Sequence, residues 1–393
     1  MIYPRKIYPE LLKHAKKPLS TVLTGMRRTG KTTLVKQLLQ DLPNKNSLFL
    51  DLERLDNREI FLQKNYETIR DQFILRGLSP AKPMIVALDE IQYVKEVPSV
   101  IKYLSDHYRI KFIVTGSSSF YLKNVFVESL SGRKKIFELY PLDFGEYLQF
   151  CGVESVGRDW GKLKVNKAEF ARLSNYYEDF IKYGGFPQVV MADSAQDKQD
   201  LLGDIMSSYI NIDVKTLADF GDGRNLYNLI KLLAFRVGTR LDVSKLAQLS
   251  GLSRPTVTNY LEFLEKTYLI ARVAVHTHSV DREIVKAQKL YFGDTGLANH
   301  LADLSSGAQF ENTLYNQLAR SGEVRYYALK NGLEIDFVYN AKLALEAKET
   351  PTKSDLPQLA RLAKGANLKK YRLVGRGLST KFDDYIWGGE ITG

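Results

Sequence analysis

The chain has 393 residues, 44% of them hydrophobic and 26% charged, the balance of a folded protein and too apolar for a disordered one. No stretch approaches the roughly 18 uncharged apolar residues of a membrane span, and a single cysteine, Cys151, excludes an intrachain disulfide and a cysteine-built zinc centre. The net charge of +11 favours polyanionic partners such as nucleotides and nucleic acids, although the excess is spread along the chain with no basic tail.

The length suggests two to three domains. Residues 1–17 lack the apolar core of a secretory signal, so a cytoplasmic protein with no membrane partner is expected. The first informative segment is the β-rich run at 20–24, which leads into GMRRTGKT at 25–32 and then a helical pattern. This is G-x-x-x-x-G-K-[ST] in its strand–loop–helix setting. The backbone of Gly25, Arg28, Thr29, Gly30 and Thr33 is expected to wrap phosphate oxygens, with the helix N-terminus adding its dipole. Lys31 is expected to reach the β- and γ-phosphates of ATP, and the Thr32 hydroxyl to hold Mg2+.

A second strand follows at 47–51. A third, at 84–88, ends in Asp89 and Glu90. An apolar strand ending in two carboxylates has the Walker B form: Asp89 for the metal, through water, and Glu90 to polarise the attacking water. A fourth strand at 111–115 runs into Gly116 and Ser117–Ser119. Thr115 and Ser117 are candidates for sensing the γ-phosphate beside the Walker B strand. Strands alternating with helices imply a parallel sheet wrapped on both faces. Its ligand would lie at the carboxyl ends of the strands.

The segments GMRRTGKTTL, IVALDEIQYV, FIVTGSSSF and LSGRKKIFELYPLDFGEYL, with the later YYEDFIKYGGFPQVV and KLYFGDTGLANHL, resemble the prokaryotic AAA-type ATPases that carry a conserved C-terminal domain. The resemblance implies an ASCE-type P-loop core with an extra strand between the Walker A and Walker B strands. It also implies a homo-oligomer, a hexameric ring being one form, with an arginine supplied by the neighbouring subunit. Arg133 is the candidate for that finger, or for a sensor.

Residues 165–224 read as helices interrupted at Gly184–Gly185 and Pro187, a helical lid over the nucleotide. The aromatic stripe Tyr176, Tyr177, Phe180 and Tyr183 reads as core packing. At 225–280 the pattern is a helix-turn-helix with a wing. Gly251 lies in the turn, Ser253 stands as N-cap, Pro255 is in the first turn, and Val257, Leu261 and Leu264 recur at helical spacing. In a DNA reader Arg254, Thr256 and Asn259 would face the nucleic acid. Winged helices also serve as packing or regulatory modules, and few basic residues lie on this helix.

The last third, 281–393, shows the element order α-β-β-β-α-β, which is similar to the core of PD-(D/E)XK nucleases. Glu311 falls on the first helix, Asp336 in the second strand, and Glu346 and Lys348 in the third. Glu346 and Lys348 share a strand face. Glu311, Asp336 and Glu346 would hold a divalent ion, Asp336 and Glu346 foremost, and Lys348 would stabilise the attacking hydroxide or the phosphate. The literal "PD" is absent, because Ile335 precedes Asp336. His276 and His278 show no metal-ligand spacing, and Trp160 and Trp387 carry no inference. The expectation is an α/β protein: an AAA+ P-loop domain at 1–164, a lid at 165–224, a winged helix at 225–280 and a nuclease-like domain at 281–393. It would act as a Mg·ATP-dependent ATPase on DNA, with a metal-dependent nuclease site. The alternatives are an ATP-driven regulatory switch and a DNA-binding ATPase whose nuclease fold is silent.

Overall fold

The computed structural model describes residues 4–117, 132–154, 164–214, 223–277, 279, 281, 283 and 286–392. Ser118, Ser119, Leu130, Ser131, Trp160 and His278, named above, lie outside the described residues. The chain forms two compact units. The first comprises Met1–Tyr140, Ser207–Gly223 and Lys266–Tyr268; the second comprises Pro141–Met206, Arg224–Glu265 and Leu269–Gly393.

The first unit is built on five parallel strands: β1 (Ser20–Thr24), β2 (Ser47–Asp51), β3 (Ile85–Asp89), β4 (Lys111–Gly116) and β5 (Lys134–Glu138). Their order is β2-β3-β4-β1-β5, all pairs parallel. β4 therefore separates β1 from β3, which places the expected extra strand between the Walker A and Walker B strands. The central strands β1, β3 and β4 are buried throughout. Their consecutive apolar residues, Val22–Leu23, Ile85–Leu88 and Phe112–Val114, reflect burial on both faces, and the polar Ser20, Thr21, Thr24, Lys111 and Thr115 are buried with them. Side chains alternate across the sheet: Val22 enters one core with Val86, Phe112 and Leu104, and Leu23 enters the other with Leu34, Leu38 and Ile113. The edge strand β5 keeps Lys135 exposed, a charge that discourages edge-to-edge pairing.

The second unit carries a two-stranded antiparallel ladder, β6 (Ile270–Val273) with β7 (Lys289–Phe292), and a five-stranded mixed sheet. The sheet contains β8 (Val324–Ala328), β9 (Glu334–Tyr339), β10 (Leu343–Lys348), β11 (Lys370–Gly375) and β12 (Ile386–Trp387), in the order β12-β11-β10-β9-β8. β8, β9 and β10 pair antiparallel, and β10, β11 and β12 pair parallel. The helix Ser306–Ala319 buries Phe310, Leu314 and Leu318 against one face with Phe337, Leu345 and Trp387; the helix Leu356–Gly365 buries Leu359 and Leu362 against the other with Val338 and Ala344. The expected α-β-β-β-α-β order is present in this unit.

Three expectations change. The helix Lys167–Tyr183 belongs to the second unit, where Tyr177 and Phe180 pack with Phe310 and Trp387. Residues 207–214, inside the segment 165–224 expected as a lid, group with the first unit. The boundary at 280 also dissolves, because β6 and β7 pair across it. Trp387, which carried no sequence signal, is fully buried at the centre of this core. The aromatic stripe is core as expected, save Tyr176, which is 37% exposed.

Two family-like segments meet here. Gly184 (φ +77°) sits against the Asp294 carboxylate, which accepts from the Gly185 N–H at 2.8 Å and caps the helix Thr295–Leu301 through the Leu297 N–H at 3.1 Å. A Cβ on Gly296 would lie 2.1 Å from the Tyr183 carbonyl oxygen. Burial raises the Asp294 carboxyl to about 6. Among the described residues, no helix is long and apolar enough to cross a membrane.

Candidate functional site

The loop after β1 turns with Gly25 (φ +147°), Arg28 (φ +65°) and Gly30 (φ +98°), the last at the N-cap of the helix Lys31–Asp41. A Cβ on Gly25 would lie 2.1 Å from the Leu139 carbonyl oxygen; only glycine fits there. The loop is braced from behind. Arg5 donates to the Thr29 and Tyr140 carbonyls at 2.9 and 2.7 Å, and the Thr29 hydroxyl donates to Met26 O at 2.9 Å. Arg28 reaches Ser208 Oγ at 3.2 Å. Arg5 carries no motif signal in the sequence, since only the fold brings residue 5 to residue 29.

Lys31 is 4% exposed, and its ammonium donates to Gly25 O and Met26 O at 2.9 and 3.0 Å. Thr32 follows, its Oγ1 donating to Asp89 Oδ2 at 2.7 Å. The Thr115 hydroxyl donates to the other oxygen of Asp89, and Oγ1 of Thr115 also accepts from the Glu90 N–H at 3.0 Å. Burial holds the Asp89 carboxyl above its ordinary range, opposed by the hydroxyls of Thr115 and Thr32. Thr33 lies in the same first helical turn.

Glu90 is 8% exposed and adopts a left-handed backbone conformation (φ +54°, ψ +53°). A non-glycine residue held there costs about 1–3 kcal/mol, and such strain clusters at active sites. Gln92 donates through Nε2 to Glu90 Oε2 and to Ser117 Oγ, the latter at 3.1 Å. A carboxylate only accepts, so the Gln92 amide must turn its nitrogen toward Glu90. Its Oε1 is then left buried with no hydrogen-bond partner. Gln92 ties the γ-phosphate sensor candidate to the Walker B glutamate, and sequence reading missed it: glutamine two residues after DE has no motif value without the fold. Replacing Gln92 with leucine should lower kcat about tenfold, by loosening a positioned proton acceptor, with KM for ATP nearly unchanged. Steady-state kinetics checks the split.

Arg133 does not join this pocket within its own chain. It precedes β5, whose Lys134 pairs with Ser20 at the start of β1, and the Ser20 N–H bonds Arg133 O at 2.9 Å. The P-loop begins at the other end of β1. Arg133 pairs instead with Asp106 at 3.0 Å and is half-exposed. The sensor role in its own chain is therefore corrected: parallel pairing puts Arg133 at the amino ends of the strands.

In the second unit, the helix Val243–Ser250 ends at Gly251 in the left-handed conformation, and the helix Arg254–Lys266 follows, the Thr256 N–H bonding Ser253 Oγ at 3.2 Å. The turn and cap are as expected, and Tyr268, after the second helix, stands in a turn at φ +65°. Arg254 and Asn259 are exposed on the second helix, with Glu262 also exposed. Thr256 is half-buried and its hydroxyl is engaged with Ser253 Oγ at 2.7 Å, so it is spent on capping.

The C-terminal residues Glu311, Asp336, Glu346 and Lys348 do come together. The β9–β10 ladder pairs Phe337 with Leu345, so Asp336 and Glu346 stand opposite each other in the next rung. Asp336 Oδ2 accepts from the Ala347 N–H at 3.0 Å, and Lys348 Nζ lies 3.0 Å from Glu346 Oε1. Burial, then Asp336, hold the carboxyls of Glu311 and Glu346 above the usual carboxylate range. Among the described residues no group of three or more His, Cys, Asp or Glu side chains is set to hold an ion. Glu311 and Asp336 turn instead toward Lys289, at 3.1 and 3.4 Å. Sequence reading missed Lys289 because it lies far upstream of the three strands and outside any motif of the nuclease fold.

Residues 17–148 match the family model described as an AAA domain, and residues 174–308 match a domain of unknown function, DUF8612. An uncharacterized protein of Haemophilus influenzae is 27% identical over 331 residues, 81% of this chain and 78% of that protein. The uncharacterized protein MJ1544 of Methanocaldococcus jannaschii is 27% identical over 328 residues, 81% and 71% of the two chains. Among solved structures, the Pyrococcus horikoshii signal transduction ATPase with numerous domains, PH0952, overlaps with a TM-score of 0.31 at 13% identity, covering 82% of this chain and 46% of that one. PCH-2 of Caenorhabditis elegans overlaps with a TM-score of 0.30 at 16% identity, covering 68% and 70%. Scores this low carry no inference about substrate or assembly. The AAA match and the P-loop geometry together make residues 17–148 an AAA-type P-loop ATPase domain.

Proposed function

We propose that the chain hydrolyses Mg·ATP at the P-loop and that turnover acts on DNA through the second unit. The observation that carries the first half is the chain of contacts from buried Lys31 and Thr32 through Asp89 to Thr115, with Glu90 alongside, held by Gln92 and Ser117. The residues suit a nucleotide: the loop turns on Gly25 and Gly30, which free backbone N–H groups to face phosphate oxygens, and the Lys31 ammonium is a point charge for the β- and γ-phosphates. The hydroxyl of Thr32 and the carboxylate of Asp89 would hold Mg2+, which when bound neutralises phosphate charge. Glu90 accepts a proton from the attacking water, and Gln92, anchored on Ser117, holds that carboxylate in place. A neighbouring copy in a homo-oligomer, such as a hexameric ring, supplies the arginine. A native mass measurement with ATP is expected to give a multiple of 44.8 kDa.

The DNA half rests on the net charge of +11 and on exposed Arg254 and Asn259 at the helix-turn-helix. The test is phosphate release from ATP, with and without duplex DNA, beside DNA affinity measured across salt. Binding is expected to weaken steeply with salt, and Arg254→Ala to flatten that slope by about one phosphate contact. A DNA affinity that ignores salt defeats this half.

A second reading is favoured by one observation: the C-terminal carboxylates already hold a buried ammonium, that of Lys289. On this reading the second unit keeps the nuclease-like order of elements without its hydrolytic chemistry. Duplex, single-stranded and branched DNA should all survive incubation with Mg2+ or Mn2+.

A further inference from the structure

Three carboxylates converge on one point in the second unit, Glu311 from its helix and Glu334 and Asp336 from β9, and a fourth, Glu346 of β10, stands across the ladder from Asp336. Such a set would ordinarily invite a hard divalent cation, which takes oxygen ligands. Here the centre of the group is filled by a side chain. Lys289 lies on β7, a strand buried at every position, and its side chain is 1% exposed. Its Nζ stands 2.9 Å from Glu334 Oε1, 3.1 Å from Glu311 Oε1 and 3.4 Å from Asp336 Oδ1. An ammonium has three N–H donors and no acceptor, so three carboxylates use its full capacity.

Further donors hold the same carboxylates. Glu311 Oε1, already beside Lys289, also accepts from Tyr291 at 2.7 Å, Glu334 Oε2 accepts from Arg240 at 2.7 Å, and Asp336 Oδ2 accepts from the Ala347 N–H. Only Glu346 Oε2 is buried with no hydrogen-bond partner. Burial alone would lower the basicity of Lys289, but Asp336, Glu311 and Glu334 outweigh it and hold the ammonium well above its ordinary range. A Mg2+ ion needs oxygens at about 2.1 Å in near-octahedral array. A second cation beside a buried ammonium meets like-charge repulsion that low dielectric strengthens.

We propose that Lys289 is the resident counter-cation of this cluster: it occupies the place a divalent ion would take, so the second unit holds its four carboxylates together without metal. With Lys289, Arg240 and Lys348 set against these carboxylates, the group takes no further cation, and removing Lys289 converts it into a cation-binding site.

The test is calorimetric titration of Mn2+ into the nucleotide-free full chain, comparing wild type, Asp336→Asn, Lys289→Met and the double variant. Wild type and Asp336→Asn should give the same isotherm, since any Mn2+ taken up near the P-loop is common to both. Lys289→Met should gain one Mn2+ per chain, bound about tenfold or more tighter than any wild-type site, as removal of a buried unit charge implies. The double variant should lose it. A wild-type site that Asp336→Asn abolishes overturns the proposal, and so does a folded Lys289→Met that gains none. Should Lys289→Met fail to fold, thermal unfolding decides: Mn2+ that raises Tm of wild type but not of Asp336→Asn overturns the proposal, and equal responses uphold it. Phosphate release from ATP by the wild-type chain tests the P-loop separately, so either conclusion can fall alone.

Discussion

Glu90→Gln is expected to abolish ATP turnover while leaving nucleotide binding intact. The amide keeps the shape of the carboxylate but cannot accept a proton from water, and losing a positioned general base costs about 10²–10⁴-fold in kcat. Nothing in the phosphate cradle changes, so a fluorescent ATP analogue should bind with wild-type affinity. Lys31→Ala should fail differently. Its ammonium is the buried positive charge on the loop, donating to Gly25 O and Met26 O, and its removal takes a charge from the β- and γ-phosphates. Turnover should fall about 10²–10³-fold, the scale set by deleting one preorganised donor, and nucleotide affinity should fall with it. Phosphate release paired with equilibrium binding separates the two. Unchanged turnover in both variants would remove the P-loop assignment. Wild-type turnover in Glu90→Gln alone would move the base elsewhere and leave the left-handed backbone of Glu90 without a catalytic reason.

Gly296→Ala should be the most damaging single methyl in the second unit. The added Cβ would lie 2.1 Å from the Tyr183 carbonyl oxygen, 2.3 Å from the carbonyl carbon and 2.9 Å from the Gly184 nitrogen. All three are backbone atoms, so no side chain can rotate out of the way. Either the helix Thr295–Leu301 or the end of the helix Lys167–Tyr183 has to shift, and Asp294, which links them through Gly185 and Leu297, shifts with it. Overpacking of this kind costs about 3 kcal/mol, or roughly 10 °C in Tm for a unit of this size. Gly307→Ala is the matched control: a Cβ there meets nothing within 4 Å, and alanine in a helix is better than glycine by up to about 1 kcal/mol. Calorimetry on both variants reads the difference. Equal Tm values would mean that the contact between the two glycine-bearing segments yields at little cost.

Much of the first unit was legible along the chain, though not β5 or the return of residues 207–214 and 266–268 to it. β3 is buried on both faces and is written as a continuous apolar run, Ile85–Leu88, and the P-loop and the Asp89–Glu90 pair are local strings whose spacing is their chemistry. The three C-terminal strands and their flanking helices were equally legible, because each element repeats its own period. What the sequence could not give is which residues meet across long separations. Arg5 reaches Thr29, Gln92 bridges Glu90 and Ser117, and Trp387 closes a core with Tyr177; none of these pairs has a spacing to recognise. Lys289 shows this most plainly. Glu311, Asp336, Glu346 and Lys348 keep the order of a metal site, yet the charge that settles their chemistry arrives from β7, outside the nuclease-like run of elements. Only tertiary structure decides whether a carboxylate cluster is open to an ion or already neutralised, because Coulombic pairing depends on distance and burial rather than on order along the chain.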